Sequence, residues 1–528
     1  MNSLLIHNAN ILSFQDGFVP GTADTLVVAE NSIEAVGRYD ELKNLAHGGT
    51  VIIDAGGKTL MPGFNDSHIH IWKVGSLKTF MLDIRGVSSK DEMQQQLSDY
   101  IAANPHLHWV TARGFNEAGW SEGTLPTRHD LDKVSASKPI YVIRTCAHIA
   151  VCNTAALQAA GITAATPVPQ GGVMQLGADG QPNGIFAETA LGLVANKIPA
   201  YTKNDFKIMV RAMQQELHQY GITAATDPAV DPVLLQAYHE MNAAGELGFR
   251  LNALPIILPD GGTQPYPIPQ KFSSSFFNIN TVKFFSDGGL SGQTAALKRS
   301  YKNSTQQGVL RLQQQQYLGL CRQAMQNGLG VATHAIGDAA IEMVIDIYKQ
   351  LQAAYPSLIK RIEHLGLPLT QHLAAMQANN IACSMQTIFL DELGKNFTKY
   401  LDDDYLQRCY PVRSVLQHGI LTALSSDAPV VKNFNPLKGA SVAVTRKANQ
   451  GVTIAPNEAI TMHQALKAYT FSAAQISGTM QWGALQKNKL ADFIITDKNP
   501  LTTAADVVQD IKVLQTFVDG QCVYKAIP

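Results

Sequence analysis

The segment Leu60-Met61-Pro62-Gly63-Phe64-Asn65-Asp66-Ser67-His68-Ile69-His70 is an apolar run ending in two histidines one residue apart. On a β-strand, alternation puts His68 and His70 on one face, a pleat apart, where two imidazoles can hold one metal ion. The spacing alone decides little. With 15 His in 528 residues, a His-x-His pattern arises by chance about 0.4 times per chain, and His106-Leu107-His108 is a second copy. That copy follows Asn104-Pro105 at a strand entrance, so a solvated loop is its expected setting.

Further reactive side chains close later strand-like segments: Lys283 in TVKFFSDG, His334 in GLGVATHAIGD, His364 in RIEHLGL and Asp427 in LTALSSDAPV. One histidine in a strand is ordinarily a hydrogen-bonded core residue. Four at strand ends, with a carboxylate, make a nitrogen and oxygen donor set suited to zinc or a similar divalent ion. Lys283 alternates with Phe285 and Asp287, so the three share a face. An ammonium pointing into a core is costly unless paired. Two readings stand: a salt bridge to Asp287 or another acid, or an amine of depressed pKa that CO2 converts to an anionic carbamate able to bridge two metal ions. Asp427, in Ser-Asp-Ala-Pro, is open between a turn or cap role and a chemical one.

These residues need elements to position them. Residues 1–60 read as short β-strands with Gly and Asp-Gly punctuation, and 481–528 return to that texture, so the two ends form one discontinuous β domain. Residues 61–480 alternate strands with amphipathic helical runs. The strand candidates are 62–70, 221–228, 249–257, 281–288, 328–338, 361–367, 381–386 and 421–430. That is the requirement of an α/β fold of the (β/α)8 TIM-barrel type, in which catalytic residues sit at the C-terminal strand ends. His68 and His70 then end strand one, Lys283 lies on strand four, and His334, His364 and Asp427 end strands five, six and eight. The interval of about 76–200 exceeds one βα unit. It reads as an insertion after barrel strand one with its own small sheet, built on WVTARGF and PIYVIRTC.

Composition narrows the function classes. A formal net charge of −1 offers no basic surface for nucleic acid, and no run approaches 18 apolar residues, so no membrane span is expected. The first residues lack the charged n-region and cleavage site of a secretory signal. Six scattered cysteines with no CxxC suggest no disulfide framework. A cytoplasmic globular protein is the expectation. Phosphate-cradling loops and the Gly-x-Ser-x-Gly elbow are absent, which disfavours phosphoryl transfer and serine hydrolysis.

In order, PGFNDSHIH, VKFFSDG, HAIGD, RIEHL and SSDAPV resemble the motifs of the amidohydrolase superfamily, most closely the family 3 branch of N-substituted formamide deformylases and YtcJ-like proteins. The flanks IIDAGGKTLMPGFND and KLADFIITDKNPL resemble the joints between that family's β-sandwich and barrel. RGFNEAGW, RTCAHIAVCNTAAL and GGVMQLGADGQPNGIFAE match its insertion. The resemblance implies two divalent metal ions, most often zinc. His68, His70 and Asp427 would bind one and His334 and His364 the other, with carboxylated Lys283 bridging. It implies hydrolysis of a non-peptide C–N bond in an amide, formamide or cyclic amide by a metal-activated hydroxide, with Asp427 as general base. Gln293, in LSGQTA, stands where the family often has arginine, so a relative's substrate does not transfer with the motif.

The insertion is expected to cover the barrel mouth. Trp109, Arg144, His148 and Glu188 are its candidate substrate contacts, against the alternative of a polar network internal to the insertion. The expected partner is a small-molecule substrate, with no nucleic acid and no membrane, and a homodimer is left open. Two other functions compete: a mononuclear deaminase of the same superfamily, whose members lack the strand-four lysine, and a non-catalytic regulatory protein that kept the fold.

Overall fold

The computed structural model describes residues 3–117, 120–145, 147, 149–169, 172–259, 264–449 and 451–527. The chain divides into two compact units, Met1–His70 with Gln214–Pro528, and Ile71–Met213. The second unit starts and ends outside the expected 76–200 interval.

Within the first unit, parallel strands alternate with helices in a mixed α/β arrangement. The strands are β1 (Phe64–Asp66), β2 (Ile222–Val230), β3 (Arg250–Pro255), β4 (Thr281–Phe285), β5 (Gly330–Ala335), β6 (Lys360–His364), β7 (Ala382–Met385) and β8 (Thr422–Leu424). β1, β2 and β3 pair in parallel within one five-stranded sheet, which the short strands Phe277–Ile279 and Phe272–Ser273 complete. β4 to β8 form the second five-stranded sheet, also parallel, with Lys283 opposite Ala332 and Phe285 opposite His334. A parallel bridge between Ile256 and Lys283 joins the sheets at one seam, where the Ile257 N–H donates to the Lys283 carbonyl at 3.2 Å.

The helices follow from their spacing of apolar residues. α1 spans Pro232–Ala243, α2 Gln314–Gln326, α3 Asp338–Gln352, α4 Thr370–Ala378 and α5 Phe389–Tyr400. In α3, Ile341, Val344, Ile345, Tyr348 and Leu351 recur every three or four residues and are all buried, giving one apolar stripe. Each such aliphatic side chain contributes about 1.5–3 kcal/mol on burial. Gly337 caps α3, and a Cβ there would run into the Ala296 carbonyl, so only glycine fits.

The chain ends meet in one sheet. Thr59–Pro62 pairs antiparallel with Phe493–Thr496, which pairs with Val513–Val518. Leu60, Ile11, Phe493 and Phe517 lie in the core beneath, shared with the four-stranded sheet of Ser3–His7, Thr25–Ala29, Ser32–Gly37 and Val51–Asp54. Buried Arg250, at the start of β3, donates Nε and Nη2 to Asp492 at 2.8 Å each, tying β3 to this sheet.

The second unit carries a six-stranded sheet in the order Val173–Leu176, Pro182–Ala187, Ile149–Cys152, Ile140–Arg144, Val110–Phe115, Leu82–Asp83. Among the described residues, no helix is long and apolar enough to cross a membrane.

Candidate metal centre

His68 and His70 do not lie on the first strand, as their spacing had suggested. β1 stops at Asp66, and the histidines occupy the irregular segment before the helix Ile71–Thr79. Asp66 causes the stop: its Oδ1 accepts from the His68 N–H at 3.1 Å and the Ser426 N–H at 3.2 Å, turning the chain out of the ladder. The segment is then held by the one after β8. The Asp427 N–H donates to the His68 carbonyl at 2.7 Å, and the His70 N–H to the Ala428 carbonyl at 3.0 Å.

The side chains still converge. His68 Nε2 and His70 Nε2 lie 3.3 and 3.2 Å from the same Asp427 Oδ1, with the two rings nearly perpendicular. Asp427 reaches this position in a left-handed conformation, φ 54°. His364, the last residue of β6, sets Nδ1 4.0 Å from Asp427 Oδ2 and its ring 5.0 Å from that of His68. His334, next to last in β5, has its ring 4.4 Å from that of His364. Lys283, at mid-β4, is fully buried with Nζ 4.9 Å from the Phe285 ring centre. Ligand atoms of His68, His364 and Asp427 all lie within 4.8 Å of one another.

Four acids orient these groups, of which only Asp287 was weighed from the sequence, as a partner for Lys283. Glu363 accepts from His68 Nδ1 and, at 2.5 and 3.0 Å, from Arg361 Nε and Nη2, while Arg361 Nη2 also donates to the Ser67 carbonyl at 2.8 Å. Asp287 Oδ1 lies 3.3 Å from His334 Nε2, and its carboxylate accepts from the Ala296, Ile336 and Gly337 N–H groups. Asp227 Oδ1 lies 4.0 Å from His70 Nδ1 while Oδ2 accepts from the Tyr238 hydroxyl at 2.5 Å. Asp66 is the fourth. The signal for Glu363 and Arg361 is legible in hindsight: two charges, at 361 and 363, on one face of a buried strand.

The electrostatics favour a cation. Burial and Lys283 push His68 down, yet the carboxylates of Asp427 and Glu363 outweigh them and hold it above the usual imidazole value. Burial and His334 hold His364 well below it, so His364 keeps a lone pair at neutral pH. Burial raises Asp427, but His68 and His70 overcome it and keep the carboxyl ionised far below its ordinary range. The His364 Nδ1 atom is buried without a hydrogen bond among the described residues. A neutral imidazole with an open lone pair, two further imidazoles aimed at one carboxylate, and buried acids behind them fit a divalent metal.

The candidates of the insertion belong to the second unit. His106 and His108 are exposed in a turn, as a solvated loop requires. Arg144 is paired bidentately with Glu117 at 2.8 and 3.0 Å and also donates to Asn116. Trp109 packs against the core of the second unit, Glu188 is half-buried there at φ 53°, and His148 lies outside the described residues. Gln293 is half-buried in the loop after β4.

A family model described as "Amidohydrolase family" matches residues 51–524. YtcJ of Bacillus subtilis (strain 168), provisionally named an amidohydrolase, is 28% identical over 95% of this chain and 96% of its own. N-substituted formamide deformylase of Arthrobacter pascens is 26% identical over 99% of both chains. The solved structure of an uncharacterized metal-dependent hydrolase from Pyrococcus horikoshii OT3 superposes with a TM-score of 0.80, covering 96% of this chain and 99% of that one at 23% identity, a likeness of fold. Family match and buried His/Asp group coincide in sequence and in space, and the chain belongs to the amidohydrolase family of hydrolases.

Proposed function

We propose that this enzyme hydrolyses a non-peptide carbon–nitrogen bond, in an amide, formamide or cyclic amide, with Asp427 as the general base. The observation that carries the reading is the convergence of His68 Nε2 and His70 Nε2 on one Asp427 oxygen, at 3.3 and 3.2 Å. We read β1 to β8 as a (β/α)8 barrel, with residues 1–60 and 481–528 as a β-sandwich and about 76–200 as an insertion. Support for closure comes from both seams: the Ile256–Lys283 bridge, and the bonds from Ser67 Oγ to the Leu424 carbonyl and from Asp427 N–H to the His68 carbonyl. The candidate ligands other than Lys283, which lies at mid-β4, then share the C-terminal end, where barrel enzymes do their chemistry.

His68, His70 and Asp427 would hold one ion and His334 and His364 a second, with Lys283 as a carbamate between them; zinc suits these donors. When bound, such ions acidify a water and polarise a carbonyl. Asp427 takes one proton from the attacking water as the C–O bond forms and gives it to nitrogen as the C–N bond breaks, yielding an acid and an amine. Glu363, on His68 Nδ1, fixes the tautomer that leaves Nε2 facing the site. The name of the A. pascens relative brings N-substituted formamides forward as a substrate class. Phe285 beside the His334 ring and Phe389 stacked on His364 offer apolar walls for an N-substituent.

The test is a screen of the metal-loaded protein over N-formyl, N-acyl and cyclic amides, with metal content measured on the same sample. Amine release with about two ions per chain is expected; no release from any member at full loading removes the reading. A mononuclear deaminase is the second reading, favoured by the three-residue group His68–His364–Asp427, the single such group among the described residues. Ammonia release with one ion per chain and unmodified Lys283 would select it.

A further inference from the structure

Gln386 follows directly on β7 and is completely buried. Its amide is held from one side only: Nε2 donates to Ser425 Oγ at 2.8 Å and lies 3.4 Å from the Ser384 carbonyl. Those two bonds fix which end of the amide points away, and that end, Oε1, has no hydrogen bond among the described residues. A buried acceptor left open is rare in folded proteins and asks for a donor.

The register shows where that donor must come from. Ser384 is opposite Glu363 in the β6–β7 ladder, and Glu363 is the residue bonded to His68. Gln386 lies just past the C-terminal end of β7, and its Nε2 bond to Ser425 Oγ, itself 2.9 Å from Ser384 Oγ, keeps its amide on the face of Ser384. Ser384 Oγ contacts both Ser67 Oγ at 2.7 Å and Ser425 Oγ at 2.9 Å, so this face is the one turned toward β1 and β8, where His68 and Asp427 emerge. From the other direction, the Gln386 carbonyl accepts from the Phe389 N–H at 3.1 Å, and the Phe389 ring stacks on His364.

Building on the C–N hydrolase reading, we propose that Gln386 is a substrate-positioning residue whose open Oε1 accepts a hydrogen bond from the N–H of the scissile group. The enzyme then selects secondary amides and cyclic N–H groups over their N,N-disubstituted counterparts. A neutral acceptor of fixed orientation distinguishes an N–H from an N-alkyl nitrogen because the latter leaves the acceptor unpaired, and such sites discriminate strongly.

The experiment compares wild type, Gln386→Met and Gln386→Glu, all metal-loaded, on N-butylformamide and N-butyl-N-methylformamide. Wild type is expected to favour the N–H member by at least about 100-fold in kcat/KM. Gln386→Met is expected to bring the ratio within about 5-fold by losing activity on the N–H member alone, and Gln386→Glu to retain the preference. A ratio unchanged in Gln386→Met overturns the proposal, since a steric preference would survive the substitution. Dissociation constants for the N-butylacetamide pair are measured in parallel. Discrimination in binding without cleavage of any amide would sink the hydrolase reading and leave Gln386 standing. Equal binding of the pair by wild type, or no binding, overturns the role of Gln386. Melting temperatures complete the set: a Gln386→Met protein that melts lower and loses both members equally marks a merely structural residue.

Discussion

Asp427 and His68 are joined twice, once through the main chain at 2.7 Å and once from Asp427 Oδ1 to His68 Nε2 at 3.3 Å. The backbone bond sets where the two segments meet, and the side-chain approach sets what they can share. Position and chemistry of this pair are therefore separable by substitution.

Asp427→Asn keeps the backbone bond and the side-chain shape while removing the charge. Activity should fall about 10²–10⁴-fold, the range of a lost general base, and bound metal should fall with it. Turnover and metal content on the same sample check this; retention of full activity would remove Asp427 from the mechanism.

Glu363→Gln should weaken metal binding about 10–100-fold without abolishing it, because His68 loses the partner that fixes its tautomer. The same change leaves the Arg361 guanidinium buried without its carboxylate, so the melting temperature should also drop. Competition with a chelator of known affinity, alongside thermal unfolding, separates the two effects.

If Lys283 bridges two ions as proposed, Lys283→Ala should reduce bound metal from about two ions per chain to about one. Lys283 is fully buried, so the truncation also leaves a cavity and is expected to lower stability. Lys283→Met, which fills the space, distinguishes cavity from chemistry: stability returns and stoichiometry does not.

Burial pushes Asp66 up to about 6 from 3.8. The metal-free folded chain therefore holds this proton more tightly than the unfolded chain does. Stability from this group is greatest below the unfolded value and declines as pH rises towards the folded one, by up to about 3 kcal/mol in total. Asp66→Asn keeps an oxygen for the His68 and Ser426 N–H groups and should flatten that decline in chelator-treated protein. Urea unfolding at pH 4.5 and 7.5 measures it; an undiminished slope would show that Asp66 is not the group responsible.

The strands that carry the site were legible because each is a short β-rich apolar run closed by a charged or turn residue, as in GLGVATHAIGD. The position of His68 and His70 beyond β1 was not, because it depends on Asp66 bonding to Ser426, 360 residues away. Glu363 escaped notice beside a histidine that already had a role, Asp227 because its partner His70 is brought to it only by the fold, and Asp287 was weighed only against Lys283 because His334 likewise reaches it through the fold. The pairing of Arg144 with Glu117 likewise crosses 27 residues and leaves no periodic trace.

The pairing of Thr59–Pro62 with Phe493–Thr496 has a consequence for biosynthesis. Pro62 leads straight into the strand before His68, yet its neighbour in the sheet leaves the ribosome about 430 residues later, roughly 20–90 s at usual elongation rates. Throughout that interval Leu60 and Met61, both fully buried in the finished protein, are without the strand that covers them. The segment that carries His68 and His70 is thus synthesised long before the strand that seats it.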